Sequence, residues 1–321
     1  MQHKDATVLV TDPIPPIIEG LSDYGCASLW EWPNRAAFLE TAGRSIRAIA
    51  AGPRAPIDQA LIEGLPSLEL IAKFGAGYET IDVGTAIARG VTVTHTPDAV
   101  THDVADFAIG LLLALIRRLP QADRYVREGH WQPGSFFPIS TSLRQTRVGI
   151  VGLGRIGRAI AQRCEGFGWS VSYSGTAPKH DVPYLYYENV AALARDVNVL
   201  FIAAAGGEST HHLVNAAALE ALGADGVIVN IGRGTIVDQP ALVTALAAGK
   251  LRGAALDVLD GEPAVPAALL ADEKVLLTPH CAGGTLDAVF GMADQVVANV
   301  RSWLAGNGPI NPVPEMTKKF T

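Results

Sequence analysis

VGIVGLGRIGRAIA, Val148 to Ala161, is the stretch that decides the fold. Val148 to Val151 reads as a short buried strand, and the run from Arg155 onward reads as a helix. Between them Gly152, Gly154 and Gly157 stand at GxGxxG spacing. The first glycine permits a tight strand-to-helix turn, and the second lets a pyrophosphate approach the backbone. The third lets helix and strand pack closely, while the helix N-terminus points unpaired N–H groups at the phosphates. Glycine-rich turns occur in many folds, but here the strand and the helix stand where the motif needs them. A dinucleotide site follows.

On both sides of this unit, strand-like and helix-like segments alternate, which is the pattern of α/β architecture. Upstream, ATVLV, RAIAA (Arg47 to Ala51), LELIAKF and VTVTHT read as strands, with helices at Pro15 to Asp23 and Asp58 to Gly64. They make a small parallel sheet with helices of its own. A helix capped by Thr101 or Asp103 runs through Val104 to Leu115, apolar on nearly every side and therefore buried. HWQPGSFFPISTSLRQ after it, rich in Pro, Ser and exposed aromatics, reads as a loop. Downstream of the glycine motif, strands at SVSYS, VNVLFIAAA, GVIVNIG, GAALDV and KVLLTPH suit a doubly wound sheet, with helices such as Asn215 to Leu222 and Gln239 to Ala248. Thr285 to Ala305 reads as one helix returning to the first domain. The expected organisation is a discontinuous substrate domain of residues 1–99 and 285–321 around a nucleotide-binding domain of residues 100–284.

The 321 residues suffice for two domains, and 49% hydrophobic with 18% charged residues is the composition of a water-soluble globular chain. A net charge of −7 without a basic cluster argues against nucleic acid or an anionic membrane as the main partner. The longest apolar run, Phe107 to Ile116, is about half the ~20 residues a membrane-spanning helix needs. MQHKDATVLVTDP shows no long apolar signal segment. Cys26, Cys164 and Cys281 form no CxxC pair, so we expect no disulfide framework, no metal site and a cytoplasmic location.

In sites that bind NAD, an acidic residue about 20 positions into the motif, at the end of the second strand, holds the ribose hydroxyls. Here that end reads Ser174, Gly175, Thr176, Ala177, Pro178, Lys179, with no carboxylate before Asp181. Small hydroxyls and a lysine suit a 2′-phosphate, and Arg155 at the motif helix can add charge. NADP(H) is therefore expected over NAD(H), although Ser174 and Thr176 also read as plain loop residues and Lys179 as a solvated one.

Three later motifs follow strands directly, where open α/β sheets place their ligands. They are NIGRGTIVD with Arg233, LDVLDGEP ending in Glu262, and TPHCAGG with His280. Arg233 offers a forked donor to a carboxylate or carbonyl oxygen. His280 can carry a proton near neutral pH, and Glu262 can hold its ring and favour the charged form. Each also has a plain structural reading when taken singly. Arg233 can pair with a helix end, Glu262 can cap the turn before Pro263, and His280 can be a satisfied loop histidine.

Together, KFGAGYETID, HTPDAVTHDVADFAIG, GLGRIG, NIGRG, LDV, GEP and PHCAGG occur in a fixed order from about residue 68 to about residue 300. In this the chain closely resembles the D-2-hydroxyacid dehydrogenase family. The resemblance implies an oxidoreductase with a Rossmann-like coenzyme domain inserted into a smaller flavodoxin-like α/β substrate domain, assembled as a homodimer. It implies that Arg233 binds the substrate's carboxylate and carbonyl, that His280 is the acid/base and that Glu262 supports it. Coenzyme contacts map to Leu153, Gly154, Arg155, Ile156, Ser174, Thr176, Ala205, Ile231, Arg233 and Asp257, with His280 and Gly283 beside the nicotinamide. Gly75, Ala76 and Gly77 map to the substrate carboxylate, in keeping with the affinity of glycine-loop N–H groups for anions. Arg54, in GPRAP after an earlier strand, is a further candidate for substrate binding. Two departures stand out: AAAGGEST replaces a Pro-Leu-Thr turn, and the ribose-binding acid is missing at Ser174. Both, with HCAGGT, resemble the glyoxylate, hydroxypyruvate and hydroxyphenylpyruvate reductase branch, whose members tend to use NADPH. The reaction so implied is reduction of a small 2-keto acid to a D-2-hydroxy acid. A non-catalytic dinucleotide sensor on the same fold, an NAD-linked dehydrogenase, and an oxidiser of a small anion such as formate or phosphite stand as alternatives.

Overall fold

Two parallel sheets organise the chain in a computed structural model that describes residues 6–32, 34–53 and 55–317. The chain divides into two compact units, Met1–Val100 with Gly284–Thr321, and Thr101–Gly283.

The first unit holds β1 (Val8–Val10), β2 (Cys26–Ser28), β3 (Ala48–Ala51), β4 (Leu70–Lys73) and β5 (Thr92–Thr94) in the order β2-β1-β3-β4-β5. All neighbouring strands are parallel. This is the flavodoxin-like order, with its switch between β1 and β3. β1, β3, β4 and β5 are buried along their whole length, as strands covered on both faces must be. Sequence periodicity does not reveal β2, which is three residues at the sheet edge with only Ala27 buried. The helix Leu286–Leu304 belongs to this unit. Val297 lies where a Cβ on Gly20 would come within 2.7 Å, and Trp303 Nε1 donates to Glu69 at 3.0 Å.

The second unit carries β6 (Arg147–Val151), β7 (Ser170–Ser174), β8 (Leu185–Tyr187), β9 (Val199–Ile202), β10 (Val227–Asn230), β11 (Gly253–Leu256) and β12 (Val275–Leu277). Their order is β12-β11-β10-β9-β6-β7-β8, again parallel throughout. The strand order reverses between β6 and β9, so the crevice at their carboxyl ends is the ligand position of a doubly wound sheet. β8, another three-residue edge strand, also lacks a readable pattern. β9 stops at Ile202, short of the alanines that extend its apolar run.

The helix Thr101–Ile116 begins at Thr101, which places Thr101 and Asp103 inside its first turn. It buries Val104, Ala105, Ala108, Ile109, Leu111, Leu112 and Ile116. It is not buried all round, however. His102, Asp106 and Gly110 form an exposed stripe at helical spacing, and Asp106 there accepts from Arg163 Nε at 2.7 Å. Residues 130–146 contain neither helix nor strand and expose Trp131, Phe136 and Ile139.

Candidate active site

The site is assembled from loops at the carboxyl edge of the second sheet, and glycines let those loops touch in succession. Gly152 follows β6 at φ +93°, and a Cβ there would lie 2.6 Å from the Ala204 backbone beyond β9. A Cβ on Gly232, beyond β10, would meet the Ala204 carbonyl at 2.8 Å. One on Gly234 would come within 1.9 Å of the Leu259 carbonyl carbon, beyond β11. Only backbone-on-backbone packing fits these places. The chain of contacts runs from the glycine turn to the loops that carry Arg233 and Glu262.

The glycine turn fits a dinucleotide. Gly154 is the N-cap of the helix Arg155–Gly166, with nothing within 4 Å of where its Cβ would be. A Cβ on Gly157 would strike the Gly152 carbonyl at 2.2 Å, the close helix–strand approach that the third glycine of the motif serves. Leu153 is buried under the turn, Ile156 is half-buried and Arg155 is exposed. At the end of β7, Ser174 is 5% exposed and its carbonyl accepts the Gly152 N–H at 2.8 Å. Thr176 and Lys179 beyond it are exposed. Two tyrosines brace that loop: Lys179 N–H donates to Tyr173 Oη at 2.6 Å, and Tyr186 Oη donates to the Gly175 carbonyl at 3.3 Å. Asp181, the first carboxylate after β7, is paired with Arg158 at 2.9 Å. The hydrogen bond from that guanidinium holds the Asp181 carboxyl below the usual carboxylate range.

Arg233 is half-buried, and its Nη1 donates to the Gly232 carbonyl at 2.7 Å. Asn230, 1% exposed, shapes the turn beneath it. Its Nδ2 donates to the Arg233 carbonyl at 3.0 Å, and its Oδ1 accepts the Gly232 N–H at 3.1 Å. His280 Nδ1 and Glu262 Oε1 are 2.6 Å apart, with both side chains open to solvent over nearly half their surface. Glu262 Oε2 also accepts the Leu259 N–H at 3.4 Å, so the carboxylate tethers its own turn as well as the ring. Asp257, 2% exposed, accepts from Thr278 Oγ1 at 2.6 Å, Cys281 N at 2.9 Å and Ala282 N at 3.0 Å. Burial and the neighbouring Asp257 carboxylate push the Cys281 thiol up.

Ala205 is exposed and its carbonyl accepts from Thr210 Oγ1 at 2.8 Å; Ile231 is buried and Gly283 half-buried. Gly75, Ala76 and Gly77 lie in the first unit, after β4. Gly75 sits at φ +125°, and its N–H is committed to Thr96 Oγ1 at 2.8 Å, so it is not an anion donor in this arrangement. The Ala76 carbonyl faces His95 Nδ1 at 2.8 Å. Arg54 lies outside the described residues. Among the described residues no group of three or more His, Cys, Asp or Glu could hold a metal ion.

A family model for the D-isomer-specific 2-hydroxyacid dehydrogenase NAD-binding domain matches residues 109–282. The chain belongs to the D-2-hydroxyacid dehydrogenase family. This dehydrogenase uses a nicotinamide dinucleotide. It is 43% identical over 308 residues to glyoxylate/hydroxypyruvate reductase A of Arabidopsis thaliana, covering 95% of this chain and 98% of that one. It is 43% identical over 284 residues to a hydroxyphenylpyruvate reductase of Plectranthus scutellarioides, covering 88% and 90%. A crystal structure of the NADPH-dependent glyoxylate/hydroxypyruvate reductase of Sinorhizobium meliloti, in complex with NADP and malonate, superposes with a TM-score of 0.91. It is 41% identical and covers 97% of each chain. Sequence reasoning about the dehydrogenase passed over Thr278 and Asn230. Both stand inside quoted motifs, but their partners are a buried carboxylate and the backbone, which residue type alone does not announce.

Proposed function

We propose that this dehydrogenase reduces small 2-keto acids, such as glyoxylate and hydroxypyruvate, to D-2-hydroxy acids and prefers NADPH to NADH. The observation that carries the reading is the 2.6 Å contact between His280 Nδ1 and Glu262 Oε1, formed between loops at the carboxyl edge of the sheet. A carboxylate on Nδ1 makes that nitrogen the donor to Glu262 and leaves Nε2 to exchange a proton with the substrate. In the reductive direction His280 gives its Nε2 proton to the keto oxygen. Arg233 binds the substrate carboxylate and, with His280, stabilises alkoxide charge as it develops. The coenzyme, when bound, supplies the hydride. Leu153 to Ile156, Ala205, Ile231, Asp257 and Gly283 are the residues assigned to hold it. Ala76 and Gly77 are assigned to the substrate carboxylate through their N–H groups.

The NADPH preference rests on the loop after β7. Thr176 and Lys179 are exposed there, and the nearest following carboxylate, Asp181, is tied to Arg158. An uncompensated acid would repel a 2′-phosphate; a lysine and a neutralised aspartate do not. The same reading makes the enzyme a cytoplasmic homodimer. Trp131 and Phe136, each 73% exposed, and Ile139, 85% exposed, support an assembled state.

The test is the loss of nicotinamide absorbance with glyoxylate, hydroxypyruvate and phenylpyruvate, first with NADPH and then with NADH. Faster turnover with NADPH sustains the whole reading. Equal or faster turnover with NADH keeps the reductase and removes the argument from the β7 loop. Coenzyme binding without turnover on any of the three acids makes a dinucleotide sensor the better account.

A further inference from the structure

His280 occupies a left-handed backbone conformation, uncommon for any residue other than glycine. Its φ is +53°, and among the described non-glycine residues only Arg118 and His212 share a positive φ. A left-handed conformation is strained for an L-residue and persists where surrounding contacts over-determine it. The contacts that do so here converge on one side chain.

The register pairs Leu256 of β11 with Leu277 of β12, so Asp257 and Thr278 are the next residues on adjacent strands. The backbone ladder continues past the strands: Thr278 N–H donates to the Leu256 carbonyl at 3.0 Å, and His280 N–H to the Asp257 carbonyl at 2.8 Å. The chain then folds over the Asp257 carboxylate. Oδ1 takes Thr278 Oγ1–H at 2.6 Å and Cys281 N–H at 2.9 Å, and Oδ2 takes Ala282 N–H at 3.0 Å. These donors flank His280 on both sides in sequence. A carboxylate that is 2% exposed needs such donors, because a buried charge without them is costly.

We propose that Asp257 and Thr278 together form a positioning brace for His280, holding its backbone at positive φ and its ring on Glu262. This role is distinct from the coenzyme contact that the family resemblance implies for Asp257. It rests on His280 being the general acid. Thr278 is the informative position, because its hydroxyl donates to Asp257 and it is assigned no contact with coenzyme or substrate.

The experiment compares Thr278→Val, which replaces the hydroxyl by a methyl of similar size, with Thr278→Ser, which keeps the donor. Steady-state kinetics are read beside coenzyme affinity from NADPH fluorescence titration and beside the melting temperature. Thr278→Val is expected to lower kcat about tenfold while the keto-acid KM and coenzyme Kd stay within about twofold. Thr278→Ser is expected to restore kcat. Unchanged kcat in folded Thr278→Val overturns the proposal. So does a parallel loss of kcat and coenzyme affinity, which would give the carboxylate to the coenzyme alone. A Ser variant as slow as the Val variant would overturn it too, by placing the effect on the methyl group. If Thr278→Val does not fold, Thr278→Ala is read in the same way. His280→Ala is measured alongside. If His280→Ala is active, the general-acid reading fails; if it is inactive while Thr278→Val matches wild type, only the brace fails.

Discussion

At the scale of single residues, the proposed chemistry turns on which nitrogen of His280 is engaged. Glu262 Oε1 lies 2.6 Å from Nδ1, so on the proposed mechanism removing the imidazole removes the proton donor and leaves the glycine turn in place. His280→Ala should lower kcat by about 10²–10⁴, the usual cost of losing a general acid, with NADPH fluorescence titration showing coenzyme affinity retained. A loss of less than twofold would remove His280 from the mechanism. Glu262→Gln keeps an oxygen that can accept from Nδ1–H but removes the negative charge. Its kcat should fall by about 10–100-fold, as when the residue that orients a functional histidine is changed. Arg233 works differently, since a guanidinium that holds a carboxylate contributes to binding before any proton moves. Arg233→Ala should therefore act first on the keto-acid KM, and Arg233→Lys should not restore it, because an ammonium lacks the planar fork. An unchanged KM in Arg233→Ala would remove the clamp.

At the scale of elements, the candidate site lies at a set of strand ends, and this is why its motifs are legible in the sequence. Each of β6, β10, β11 and β12 is a buried or part-buried apolar run that stops at a polar or glycine-rich motif, so the run predicts the strand and its end marks the candidate site. Illegible are β2 and β8, whose three residues at a sheet edge satisfy no periodicity, and the contacts that loops make with each other. Gly234 illustrates the second kind. NIGRG announces a turn, but only the fold reveals that Gly234 lies against the backbone of Leu259 and Asp260, in the loop that ends at Glu262. A methyl there would sit 1.9 Å from the Leu259 carbonyl carbon, so one of the two loops must move. Gly234→Ala should cost about 1–3 kcal/mol of stability, as overpacking does, and should depress kcat as well, because the displaced loops carry Arg233 and Glu262. Denaturant unfolding beside steady-state kinetics checks both. Wild-type values for both would mean that the loops adjust freely.

At the scale of the whole molecule, the first unit is closed by a segment nearly 200 residues further along the chain than its fifth strand, and Glu69 is one of the carboxylates that join the two pieces, beside Asp23 with Arg301 and Glu315 with Tyr78. Glu69 takes Arg47 Nε and Nη2, each at 2.9 Å, and Trp303 Nε1 at 3.0 Å from the helix Leu286–Leu304. The Arg47 hydrogen bond first, and then that of Trp303 against the opposing cost of burial, hold the Glu69 carboxyl below its ordinary value of 4.5. A carboxyl whose folded value is depressed binds its proton more weakly when folded than when unfolded. Its stabilisation is therefore fully present above the unfolded value and is lost as pH falls through the folded one. Asp58, held low by Arg35 and the Leu61 N–H, and Asp82, held low by Thr85, act in the same direction within this unit. Glu69 thus accounts for part of the acid limb. Glu69→Gln retains an acceptor for Trp303 but cannot ionise. At neutral pH it should cost at most about 1 kcal/mol, since the group is solvent-accessible and its pair is screened. The gap between variant and wild type should then close as pH is lowered past the usual carboxylate range. Melting temperatures of the two proteins across that interval test this: curves that stay parallel to the most acidic point would show that the Glu69 charge does not help to hold the helix Leu286–Leu304 on the first sheet.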